Sequence, residues 1–185
     1  MAESFSNSIK RAVGIVSTTS AAAHFGATTN VVGGIGTAPL SVGDMVVNQH
    51  FRAGAKITGF STAAGYITVD RNSTNTTAVT GQVVNSLGVT TAYTSSGVKS
   101  ILIGGTFANL TENSIQIYVE LLDNSAVATA HSTSLIASDI PVPSGSSFVI
   151  SEAGKTVIES SDQIRVYCDT ANAVDVNLAI LSGVS

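Results

Sequence analysis

The segment from Ile140 to Ile150 reads IPVPSGSSFVI, and its paired hydroxyls, Ser146 and Ser147, are the first candidates for nucleophilic chemistry. A serine nucleophile needs a base to take its proton and a third group to orient that base; its usual sequence sign is G-x-S-x-G on a strand-to-helix turn. Here the context is GSSFV, with no such motif and no helical pattern after it. The hydroxyls are expected to bond nearby backbone in a corner between two strands. Glu152, Glu159 and Asp162 lie close together, and clustered carboxylates can run acid–base chemistry or bind calcium. Neither an Asp-x-Asp-x-Asp loop nor a tryptophan platform for sugars accompanies them, so they are expected to be solvated loop charges.

The remaining reactive types are dispersed. His24, His50 and His131 fall in different segments, none at the short spacing of metal ligands, and are expected to face solvent or an interface. Cys168 falls on the inward side of an alternating strand, where a small buried thiol is the ordinary outcome and a reactive thiolate is not. The glycine-rich VVGGIGTAP from Val31 resembles a phosphate loop, but it has neither the Gly-Lys-Ser/Thr ending nor the G-x-G-x-x-G spacing. No catalytic, cofactor-binding or metal residue is therefore assigned.

Composition narrows the class. Charged residues make up 11% of the 185 positions against an ordinary figure of about 25%, while Ser and Thr supply about a quarter. Val, Thr, Ser and Gly in such abundance favour strands and turns, and so little charge suits a surface largely covered by neighbours. With eight basic residues and a net charge of -4, the chain is poorly equipped to neutralise phosphates, so nucleic acid is not an expected partner. One cysteine excludes an intramolecular disulfide. Lys10 and Arg11 precede AVGIV, a run too short for a secretory signal, and nothing approaches the ~20 apolar residues of a membrane span. The expectation is a soluble chain made in a reducing compartment, with no membrane partner.

Three regions can be drawn. Residues 1–40, rich in Ala, Gly, Ser and Thr, show neither a helical stripe nor a long alternating strand, and are expected to form an extended arm that orders against a partner. Residues 41–91 hold a small β-module of three strands, 44–48, 55–61 and 66–71, punctuated by glycine, and a linker. Its NSTNTT stretch and Asn109 match the glycosylation pattern, yet polar turns are the expected reading. Residues 92–185 carry the clearest signal. Ile115, Ile117, Val119 and Leu121 alternate with polar neighbours; Ile164, Val166 and Cys168 do the same, followed by Val174, Val176, Leu178 and Ile180 in what looks like a closing hairpin. With 99–107, 126–136, 148–151 and 156–159 added, about seven strands suggest two packed antiparallel sheets. Pro141 and Pro143 belong at a strand end or edge. The expected fold is all-β: a C-terminal sandwich preceded by a small β-meander and an extended arm.

IPVPSGSSFVISEAGKTVIESSDQIRVYCDTANAVDVNLAILSG, with KSILIGGTFANLTENSIQIYVELLD upstream, resembles the C-terminal Ig-like or jelly-roll-type sandwich of small virion structural proteins of contractile-tailed bacteriophages. VGDMVVNQHFRAGAKITGFSTAAGYITVDRNST is similar to a short β-module in structural proteins of cyanophages and their marine relatives. The resemblance implies a non-enzymatic subunit of the tail, neck, baseplate or capsid surface. Such a subunit would be made in the host cytoplasm and located in the virion. It would assemble as a homo-oligomeric ring or trimer and dock on other virion proteins. Ser160-Ser161-Asp162 departs from the family's usual Ala-Gly-Asp or Glu-Gly-Asp, which implies a less tight turn. The alternative is a carbohydrate- or host-receptor-binding adhesin module, for which Tyr66, Tyr93, Tyr118 and Tyr167 are the candidate groove residues.

Overall fold

A computed structural model describes residues 3–35, 40–52, 54–124, 132–151 and 155–184. Among them are fifteen strands and no helix, so the fold is all-β as composition and alternation predict. The chain forms two compact units, one from residues 1–13, 90–166 and 172–185, the other from 14–89 and 167–171.

The first unit is the sandwich. One sheet runs in the order β1 (Ser4–Val13), β15 (Val174–Val184), β9 (Lys99–Asn109), β12 (Ser147–Ile150), with β13 (Thr156–Ile158) also pairing with β9. The other runs β11 (Ser132–Val142), β10 (Ile115–Asp123), β14 (Gln163–Cys168), β8 (Thr90–Thr94). The alternating residues supply the core: Leu102 and Phe107 from β9, Ile115, Ile117 and Val119 from β10, Ile164 and Val166 from β14, Val176, Leu178 and Ile180 from β15. Pro141 lies near the end of β11, an edge strand, where its missing N–H costs no ladder bond.

Two expectations change here. β14 and β15 are not a hairpin: β14 lies between β10 and β8, whereas β15 lies between β1 and β9 in the other sheet. Each has an apolar face to bury, and crossing between sheets lets both faces meet in one core. The strand expected at 126–136 is β11 at Ser132–Val142, and 125–131 fall outside the described residues.

The second unit contains β2 (Ile15–Phe25), β3 (Val31–Gly33), β4 (Met45–Val47), β5 (Ile57–Ser61), β6 (Tyr66–Val69) and β7 (Val79–Gly88), in the order β4-β7-β2-β3-β6-β5. Met45 and Lys56 form a bridge that joins the two ends of this order, flanked by Val46 N–H to Ala55 O at 2.7 Å and Ile57 N–H to Asp44 O at 2.9 Å. The sheet thereby closes into a six-stranded barrel, with Phe25, Val32, Val46, Phe51, Ile57, Ile67 and Val84 in its core. The meander expected from 41 onward is half of this barrel. Residues 3–35 of the segment expected as an arm at 1–40 are consequently not free: β1 pairs with β15 of the sandwich, and β2 and β3 complete the barrel that the meander could not close alone. Their short apolar runs are too brief to reveal strands whose partners lie far along the chain.

β2 and β3 meet through a single pair, His24 with Gly33, and the seam needs small residues. A Cβ on Gly33 would lie 2.5 Å from the His24 ring, and one on Gly34, whose φ is +70°, would lie 2.5 Å from the Ala22 carbonyl oxygen. Gly34→Ala should therefore cost about 2 kcal/mol, combining left-handed strain with a backbone clash. Gly81→Ala, also at positive φ but with open space around it, should cost about 1 kcal/mol. Urea unfolding followed by circular dichroism measures both; equal losses would show that the seam is not tight.

Candidate functional site

The serine corner is built for shape. Ser146 donates both its N–H, at 3.2 Å, and its hydroxyl, at 2.8 Å, to the Pro143 carbonyl, and the Ser144 hydroxyl donates to Thr111 O at 3.0 Å. Gly145 supplies the left-handed residue, φ +66°, that the bend requires. The hydroxyls thus serve the turn, as their context predicts.

The carboxylates separate, and Asp162 is not the solvated loop charge that its sequence context suggests. It is buried and ties two loops together, because two backbone N–H groups replace its water: its Oδ1 accepts the Asn124 N–H at 2.9 Å and its Oδ2 the Glu159 N–H at 3.0 Å. The Glu159 carboxylate lies 3.1 Å from Lys99 Nζ, and Glu152 falls outside the described residues. Among the described residues no three His, Cys, Asp or Glu side chains gather as metal ligands. The preceding Ser161 holds φ +76° and donates its N–H to Ser95 O at 2.8 Å, so the turn stays tight even with serine where the resemblance places glycine.

His24 is exposed over Gly33, His50 sits edge-on to Phe25 with ring centroids 5.7 Å apart, and His131 falls outside the described residues. Cys168 is buried, as its alternation predicts. Burial above all pushes its thiol from the ordinary 9.0 up to about 12; the Thr170 N–H at its sulfur works against this, and the Asp169 charge adds to it. That is the opposite of an activated thiolate. Gly33 and Gly34 of the glycine-rich segment form the β2–β3 seam, and residues 36–39 fall outside the described residues.

Two further features were not visible in the sequence. An open cleft of about 460 Å³ is lined by Arg52, Asp70, Arg71, Asn72, Ser73 and Thr74. Its central guanidinium is engaged: Arg71 grips Asp70 with two bonds of 2.9 Å and donates to Gly54 O at 3.0 Å. Burial alone would raise the Asp70 pKa; the Arg71 bonds and the Lys56 N–H outweigh it and hold it below its ordinary value. Three of the four tyrosines are likewise engaged, Tyr93 with Ser100, Tyr118 with Asp139, and Tyr167 beneath the Lys56 ammonium at 4.0 Å.

The second feature is the outward face of the five-stranded sheet. Strand register places Phe5, Leu181, Ile101 and Val157 in one row across four strands. A second row holds Ile9, Asn177, Thr106 and Val149, and between the rows lie Asn7, Ala179 and Gly104. Phe5 is 75% exposed, Ile9 62%, Val149 57% and Val157 47%, an unusual set of large apolar side chains for one sheet face. Gly104, Gly105 and Ala179 leave a trough of about 290 Å³ between Ile103 and Val149. The alternation of β1 places Phe5 and Ile9 on this face, but a segment so rich in serine gives no signal that it is a strand. No protein-family model, curated protein or solved structure matches the chain.

Two tests follow from these side chains. Ser161→Gly should raise stability by about 1 kcal/mol by relieving a left-handed serine; no gain in a denaturant melt would show that the turn is unstrained. A maleimide should label Cys168 only on global unfolding, and Cys168→Ala should cost about 1 kcal/mol. Because the folded thiol keeps its proton while the unfolded one ionises, stability should be full below about pH 9 and fall as pH rises toward about 12. In Cys168→Ala that contribution to the alkaline loss should vanish.

Proposed function

We propose that the chain is a non-enzymatic structural subunit of a bacteriophage particle, placed in the tail, neck, baseplate or capsid surface, which self-assembles and docks on neighbouring particle proteins. The observation that carries this reading is the apolar outward face of the five-stranded sheet: such a surface is costly in water and favours a protein neighbour. Low charge supports it, since few groups on this chain need solvent. So does the sequence resemblance of the IPVPSGSS corner and the strands that follow it to small virion proteins. The groups that could have carried chemistry have structural duties instead: Ser146 closes a turn, Asp162 ties loops and Cys168 fills core.

Quantitative mass spectrometry of purified virions from the encoding phage tests the proposal. The chain should be present at a fixed copy number relative to the major capsid protein, and that ratio would separate a neck ring from a capsid-wide role. Its absence from intact, purified particles would overturn the reading.

A further inference from the structure

We infer that the outward face of the five-stranded sheet is buried against the same face of a second copy of this chain, across a two-fold axis, the apolar ridge of each copy lying in the trough of the other. The inference rests on the self-assembly part of the proposed function and names the surface that performs it.

Three observations select a second copy. The first is shape. The row Phe5, Leu181, Ile101, Val157 is a ridge running across the strands. Next to it, Asn7, Ala179 and Gly104 leave a low strip, closed on its far side by the row ending in Val149. Ridge and trough are both transverse to the strands and are about 7 Å apart along them, two residues of extended chain. A two-fold axis parallel to these rows, placed between them, exchanges ridge and trough, so the face is complementary to itself. Isologous contacts require this property.

The second is charge. Arg11 lies 3.5 Å from Asp175 beyond one row, and Lys99 lies 3.1 Å from Glu159 beyond the other. These two pairs are compensated within the chain, and the side chains of the rows between them carry no charge. The rows themselves therefore offer no charge to draw a charged partner, and identical neutral rows meet no like-charge penalty.

The third is area. With a whole Phe side chain offering on the order of 150 Å² and an Ile or Val on the order of 100 Å², the four most exposed ones present on the order of 300 Å² of apolar surface. Half-buried Ile101, Ile103 and Leu181 extend it. A standard interface covers about 800 Å² per partner, of which somewhat more than half is apolar. The patch matches the apolar share of one such interface.

Sedimentation velocity of the full chain from about 1 to 100 µM, the range in which a standard interface of modest quality associates, tests the inference alongside two variants. Phe5→Asp places a charge on the ridge, and Val149→Lys places one on the trough wall. Both positions are exposed, so thermal melts and circular dichroism should match the parent. The parent should sediment as a dimer or a higher even-numbered oligomer, and each variant should weaken the pairing at least tenfold. A parent that stays monomeric at the highest concentration, a trimer, or a dimer unchanged by a folded variant overturns the inference; if one variant fails to fold, the other decides. A monomeric chain found in virions would overturn this inference and leave the structural role standing. A dimer absent from virions would do the reverse.

Discussion

The pairing of β15 on both sides is the constraint on which the sandwich depends. This last strand lies between the first strand, β1, and the long central β9, so one sheet cannot be completed until both ends of the chain are in place. Ser182 and Ser4, 178 positions apart, meet on this ladder. Contacts of such separation carry a loop-closure cost before they contribute stability, and they predict slow folding. The order of strands in the other sheet follows from it: with β15 occupied by β1 and β9, β14 must pair elsewhere, and it does so between β10 and β8.

The barrel reduces that closure cost. The chain leaves the sandwich after Val13 and re-enters it at Thr90, and β2 to β7 between these points form a closed sheet with its own core. Its entrance and exit are neighbours, because Ile15 pairs with Gly88. Once the barrel folds, the long intervening segment behaves as a short connection, and β1 and β8 leave it close together. Ser8 in β1 then donates its hydroxyl to Ala92 O in β8 at 2.6 Å. An insertion whose ends meet is the kind that a host domain tolerates.

How much of this was legible depended on where each strand's partner lies. Seven strands of the sandwich were visible, six of them near their observed places, because Ile115, Ile117 and Val119, and Val174, Val176, Leu178 and Ile180, alternate in sequence and reach the core. The serine corner, the buried Cys168 and the edge position of Pro141 follow from local chemistry alone. β1, β2 and β3 did not: apart from Val13, Phe25 and Val32 their side chains are mostly small or exposed, and the pairings that make them strands reach to β15, β7 and β6. The false hairpin at Asp169 has the same origin, since alternation assigns a face to each strand but not the sheet to which it belongs. The outward face was hidden for a related reason. Phe5, Leu181, Ile101 and Val157 are scattered through the sequence, and only the register of four strands sets them in a row.

The contrast between the edges and the face of the five-stranded sheet bears most directly on function. An open edge invites unwanted pairing, and β1 is guarded against it: Lys10 and Arg11 charge it, a bulge between Lys10 and Val13 bends it, and Ala12, at φ +53°, turns its N–H to Asp175 Oδ1 at 2.9 Å. The edge strand β11 of the other sheet carries Pro141 to similar effect. Protection so specific at the edges makes an unprotected apolar face difficult to attribute to neglect. Replacing Phe5, Ile9 or Val149 with serine would leave the core untouched, since all three point away from it, and would remove a hazard in water. The proposed pairing of this face with a second copy is the contact that would account for their presence.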